Sequence, residues 1–102
     1  MAAYVLSKEA EADLIEIAQY TLNKWGDDAF QKYKKGLSNK FNDIGNHKVL
    51  ERQFSKTYPQ IKVTKYRYHF IFYITEGVKT SIIIAVIHEQ RDIVKNISNR
   101  LQ

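Results

Sequence analysis

The side chains able to do chemistry gather in the second half of this 102-residue chain. Imidazoles stand at His47, His69 and His88, with a phenol at Tyr73. Imidazole and phenol can give or take a proton at a reacting oxygen. Lys62, Lys65, Arg67 and Arg91 supply cations fit to hold a phosphate or a carboxylate. His88 at the end of an apolar run reads more readily as structural than as catalytic. His47 and His69 have no metal-ligand spacing and read as structural or exposed. There is no cysteine, and no Ser-His-Asp, Cys-His, paired-carboxylate, glycine-rich phosphate loop or zinc pattern. No cofactor or metal is expected.

These groups sit on a charge gradient. Residues 1–46 carry six lysines against seven acids, whereas residues 47–102 carry ten basic residues against four acids. The overall charge of +5 therefore belongs to the second half and suits an acidic partner. Lys32-Tyr33-Lys34-Lys35 reads as a solvated helix face. With 44% hydrophobic residues the chain can bury one core, so residues 1–102 are expected to form a single domain. The first residues lack the pattern of a signal peptide, and no apolar run reaches the ~18 residues of a membrane span. A cytoplasmic protein without membrane contact is expected.

The positioning elements follow from periodicity. Tyr68–Asp92 holds two β-branched and aromatic runs around Glu76-Gly77-Val78-Lys79-Thr80, the pattern of a β-hairpin. Ile82–Ile87 is apolar throughout, as a strand covered on both faces should be. Ala3–Leu6 reads as an edge strand or arm. Ser7 then caps a helix whose stripe is Ala10, Leu14, Ile17, Ala18, Thr21 and Trp25. Gly26 ends it, and Asp27 or Asp28 caps a second helix with Phe30, Tyr33, Leu37, Phe41 and Ile44 on one face. Gly36 inside that helix costs about 1 kcal/mol relative to alanine, so packing has to compensate. Ile61–Lys65 reads as a half-exposed strand, and Ile93, Val94, Ile97 and Leu101 as a short helix from Asp92. Residues 49–59 give no clear signal beyond a possible strand at Arg52-Gln53-Phe54.

The expected fold is α+β: an N-terminal strand and an antiparallel helical hairpin on one face of a small, mainly antiparallel sheet, with a short C-terminal helix. Along Tyr68–Thr75, His69, Ile71, Tyr73 and Thr75 point one way, and Tyr68, Phe70, Phe72 and Ile74 the other. If the hairpin covers one side, the other shows Ile and Tyr side chains bordered by Lys62, Lys65, Arg67, His88 and Arg91. That arrangement predicts a groove for an amphipathic, acidic partner. The C-terminal helix folding back over the same face is the alternative.

Tyr4–Gly26 resembles the opening of ParE-type toxins of type II toxin–antitoxin modules, within the RelE/ParE superfamily. The shared residues are Tyr4, Leu6 and Ser7, then Ala10, Asp13, Leu14 and Ile17, then Trp25 and Gly26. The likeness resumes at His69-Phe70-Ile71-Phe72-Tyr73 and ends at Ile87–Asp92. Between them, Asn46-His47 replaces the family's Asn-Pro, and Gln60-Ile61-Lys62 its Gly-Tyr-Arg.

The resemblance implies a plasmid-stabilisation type of toxin that inhibits DNA gyrase without catalysis. It implies neutralisation by a ParD-like antitoxin whose acidic, partly disordered tail folds on binding, with operator DNA met only through that antitoxin. Antitoxin contacts are expected at Lys62, Lys65, Arg67, His69, Ile71 and Tyr73. Target contacts are expected at His88, Arg91, Lys95 and Arg100, within the segment Ile87–Gln102. The alternative is a ribosome-dependent mRNA endoribonuclease of RelE type. His88 or Tyr73 would then be base or acid, and Lys62, Arg67 and Arg91 would be phosphate clamps. A non-toxic relative that only binds an antitoxin is the third reading.

Overall fold

The computed structural model describes residues 4–76 and 80–101; Ala3, the connector residues Gly77–Lys79 and Gln102 lie outside that range. The elements run β1 (Tyr4–Leu6), α1 (Lys8–Trp25), α2 (Asp27–Gly45), β2 (Arg52–Gln53), β3 (Lys62–Tyr66), β4 (His69–Glu76), β5 (Thr80–His88) and α3 (Ile93–Arg100). Five strands form one sheet in the order β1-β5-β4-β3-β2. β1 lies parallel to β5, and the other pairs are antiparallel. This is the α+β arrangement expected from the sequence.

Local chemistry sets the element ends. Ser7 caps α1, its side chain accepting from the Ala10 N–H at 3.1 Å. Glu9 and Glu11 lie in the first turn, where the helix dipole favours them. Gly26, at φ +88°, is the only residue between α1 and α2 and reverses the chain in a conformation open to glycine. It also serves as the start of α2, without a side-chain cap. Asp27 and Asp28 are in the first turn rather than at the cap expected of them, where they still meet the positive end of the dipole. Asp92 caps α3 by accepting from the Lys95 N–H at 3.1 Å.

Two cores flank the sheet. On one face Ala10, Leu37, Phe41 and Ile44 from the hairpin bury Ile71, Tyr73, Ile83 and Val86. On the other, Ile97 and Ile93 of α3 join Phe54, Tyr58 and Ile61 to cover Phe70, Phe72, Ala85 and Ile87. Residues 54–61, where the sequence offers only a possible strand ending at Phe54 and one beginning at Ile61, are thus half of a lid. Gly36 has its compensation in Tyr66. A Cβ on Gly36 would stand 1.7 Å from the Tyr66 Oη, so the missing side chain is the space that this ring occupies.

Two expectations about exposure are corrected. The alternation along β4 holds, but the hairpin covers the Ile71 and Tyr73 side, leaving those residues 0% and 1% exposed. The anticipated open face of Ile71 and Tyr73 is therefore the inner face of the hairpin core. α3 folds back over the opposite, phenylalanine-bearing side. Trp25, placed by periodicity on the buried stripe, is 65% exposed. It is the last residue of α1, where the helix has run past most of its contacts with the core.

Candidate functional site

The hairpin tip between β3 and β4 brings the site together. Tyr66 pairs with His69, leaving Arg67 and Tyr68 as a two-residue turn, and His69 pairs across the next ladder with His88. Arg67 has φ +52°, a left-handed conformation that glycine adopts far more readily than arginine. Its Nε donates to the Tyr66 Oη at 3.2 Å. The tip therefore holds a fully charged guanidinium on a strained, exposed residue.

Behind the tip, His69 is half-buried and hydrogen-bonded through Nδ1 to the Tyr33 hydroxyl of α2. Its ring meets His88 edge to face, with centroids 5.2 Å apart. Burial, reinforced by the neighbouring His88, lowers the His69 pKa to about 4, so this imidazole is neutral at physiological pH. Burial likewise raises the Tyr33 pKa. His88 Nδ1 accepts from the Gln90 N–H at 3.1 Å, which leaves Nε2 as the ring nitrogen free to face a ligand.

Two adjoining clefts open from this pair, sharing Tyr20, His69 and His88. The first, about 360 Å³, lies between α1, the end of β5 and α3, and is lined by Asp13, Glu16, Arg91 and Arg100 among others. The second, about 510 Å³, lies between the two helices and the β3–β4 tip, with Trp25, Lys32, Tyr33, Arg67 and Tyr68 in its wall.

In the first cleft, Asp13 and Arg100 form a bidentate pair with both contacts at 2.8 Å. They also complete the edge of β5. β1 ends at Leu6, opposite Ile83, and the ladder with β4 skips Ile84. The Ile84 carbonyl accepts from Arg100 and from the Ser7 hydroxyl, each at 3.3 Å, while Asp13 accepts from the Val86 N–H at 2.9 Å. Side chains from α1 and α3 thus replace the strand that is missing there. One signal could have revealed this. Asp13 sits on the apolar stripe of its helix, three residues from Ala10 and four from Ile17, where an acid needs a buried partner.

The remaining residues named from the sequence separate into groups. His69, His88 and Arg67 meet at the clefts. Arg91 lies at the rim, paired with Glu16 at 3.1 Å between exposed side chains. Lys65 binds Glu89 at 2.6 Å and lies over the Phe70 ring, which lowers the Glu89 pKa. Lys95 is exposed on α3. Arg100 is largely enclosed by its pairing with Asp13.

Lys62 and Tyr73 face each other across β3 and β4. They lie four residues along β4 from His69, about 13 Å from the histidine pair at strand spacing. Tyr73 is buried with its pKa raised to about 12 by burial, and its hydroxyl has no protein hydrogen-bond partner. The five residues expected to serve an endoribonuclease therefore do not converge. The same burial removes Ile71 and Tyr73 from the exposed groove assigned to them. Tyr20, Trp25, Tyr33 and Tyr68, which line the clefts, were not singled out in the sequence as site residues.

Comparison with known proteins places this architecture. Residues 4–93 match the family described as ParE toxin of type II toxin–antitoxin system, parDE. Toxin ParE of Escherichia coli is 26% identical over 102 residues, covering 100% of this chain and 99% of that protein. Toxin ParE1 of Mycobacterium tuberculosis is 27% identical over 94 residues, covering 92% and 96%. A solved chain of the chromosomal ParDE system from P. aeruginosa shares the fold, with a TM-score of 0.70 at 15% identity over 86% of this chain and 96% of that one.

Proposed function

The chain belongs to the ParE toxins of type II toxin–antitoxin systems, and on that premise we propose that it arrests growth by binding DNA gyrase without chemistry of its own. A ParD-like antitoxin, made from a neighbouring gene, neutralises it. The observation that carries this reading is the end-to-end relation to the E. coli ParE toxin. The non-catalytic mode is favoured by the division of the five groups expected of a nuclease, with Tyr73 and Lys62 toward one end of β4 and His88, Arg67 and Arg91 near the other. No helix among the described residues is long and apolar enough to cross a membrane, consistent with action in the cytoplasm, where gyrase works.

Target contact falls to His88 at the end of β5 and to the exposed cations Arg91 and Lys95 beyond it. The acidic antitoxin tail meets Lys62 and Lys65 on β3, and operator DNA is reached only through the antitoxin. Induced expression, alone and with the neighbouring gene, tests the whole reading. Growth arrest with a DNA-damage response, intact early translation, relief by excess gyrase and silencing by the neighbour is the expected result. An immediate stop in translation would replace gyrase by the ribosome as target. Absence of arrest from soluble protein would overturn toxicity.

A further inference from the structure

The larger cleft differs from the rest of the surface in what its wall contains. Its ten lining residues include no carboxylate and only one aliphatic side chain, Ala29. Three are exposed aromatics: Tyr20 at 58%, Trp25 at 65% and Tyr68 at 60%. Lys24 braces two of them, donating to the Tyr20 hydroxyl at 3.1 Å with its ammonium 5.5 Å from both the Tyr20 and Trp25 ring centroids. Lys32 stands on the α2 wall, and Arg67 on the opposite hairpin tip. The floor is polar, formed by Thr21, Tyr33 and His69, with His88 Nε2 available beside it.

We propose that this cleft binds a nucleotide unit, a base with its phosphate, presented by single-stranded nucleic acid. Bases stack on exposed aromatic faces regardless of sequence, and cations on both walls track the phosphate. A volume of about 510 Å³ lies within the range of small-ligand pockets. An amphipathic peptide would need aliphatic anchor pockets instead, and Ala29 alone offers none. Arg67 adds a second, independent sign. An arginine held at φ +52° gives up backbone stability to keep a guanidinium at the rim, and such strain collects at ligand clamps. The inference is independent of the gyrase reading, since its test requires no target protein.

The chain has a single tryptophan, and it lies in this wall, so its fluorescence reports occupancy directly. Purified full-length protein would be titrated with short single-stranded RNA and DNA homopolymers, with adenosine monophosphate, and with poly-glutamate. Quenching of Trp25 by the oligonucleotides, weakened by added salt, is the expected result. Arg67→Gly, which suits the turn, and Lys32→Ala should each weaken binding several-fold. Tyr68→Ala should weaken it by about tenfold through lost stacking. Lys56→Ala, an equal loss of charge on the loop covering the opposite face, should leave it unchanged.

Comparable affinity for the mononucleotide would identify a free nucleotide as the ligand and overturn the strand as its source. Equal quenching by poly-glutamate would assign the cleft to an acidic protein segment and overturn the proposal. So would oligonucleotide binding that Arg67→Gly, Lys32→Ala and Tyr68→Ala leave intact.

Discussion

The two clefts share Tyr20, His69 and His88, yet they handle charge in opposite ways. In the cleft beside α3 the arginines are matched to acids: Arg100 to Asp13, and Arg91 to Glu16. In the cleft beside the hairpin tip, Arg67 lies over the Tyr66 ring and Lys32 lines the α2 wall, and among the described residues neither forms an ion pair with a carboxylate. Paired charge in the first holds the C-terminal helix to the sheet. Unpaired charge in the second is left for a ligand. The sequence counts all of these as basic residues of one half of the molecule or solvated lysines of the other, and only the fold separates their tasks.

The sharpest way to break this contrast is to unpair the first cleft. Asp13 is 12% and Arg100 22% exposed in their side chains, so removing the acid strands a mostly enclosed guanidinium and an unpaired Val86 N–H. Asp13→Ala should destabilise the fold by roughly 2–4 kcal/mol, read as a shift in the urea midpoint. Asp13→Asn keeps an acceptor for Val86 and should cost about 1 kcal/mol less. Equal losses in the two variants would show that the edge of β5 contributes nothing beyond the ion pair. α3 should also become more open to proteolysis than the hairpin in either variant, because its anchor is lost while its hydrophobic contacts remain.

Gly36→Ala probes the wall of the second cleft. Helix propensity alone would gain about 1 kcal/mol, but the new Cβ would overlap the Tyr66 ring. Tyr66 packs on Tyr33, with centroids 5.1 Å apart, and Tyr33 holds His69. The expected net loss is about 1–2 kcal/mol by thermal or urea unfolding. Stabilisation instead would mean that Tyr66 can leave its place at no cost. Arg67→Gly should go the other way, stabilising the turn by up to about 1 kcal/mol as the left-handed strain is relieved.

His69 lies on the seam between the clefts, and its burial makes stability depend on pH. The folded pKa of about 4 lies below the ordinary 6.5, so the unfolded chain binds more protons between those values. Stability therefore falls as pH drops through that window. Allowing for partial exposure, the loss between pH 7.5 and pH 5 should be about 1–2 kcal/mol, and His69→Gln should flatten it. A urea midpoint that stays level across this range in the parent protein would refute the burial of a neutral imidazole.

How much of this was legible depends on whether a pattern is local. Helix spans, the Ser7 cap, the start of the last helix at Asp92 and the alternation in β4 are written in residues a few places apart, and the structure agrees with all four. Which face of β4 the hairpin takes is a property of packing between distant segments, so Ile71 and Tyr73 were placed outside when they lie within. Trp25 followed a helical stripe correctly in phase, but periodicity cannot say where the supporting sheet stops. Residues 54–61 carry no period of their own, and Ile61 reads only as the start of the next strand. Their three apolar anchors, Phe54, Tyr58 and Ile61, become visible only against Phe72, whose ring meets Phe54 edge to face at 5.1 Å.

The smallest expected effect on stability separates structural from functional use of charge most cleanly. Arg91 and Glu16 have side chains 57% and 65% exposed, and an ion pair this open contributes less than about 0.5 kcal/mol. Arg91→Ala and Glu16→Ala should therefore be indistinguishable from the parent by urea unfolding. They should differ in the cell. If Arg91 contacts the target, its loss weakens growth arrest while Glu16→Ala retains it or, by freeing the guanidinium, enhances it. Equal arrest by the two variants would leave the rim cation with no part in target binding and move that role to His88 and Lys95.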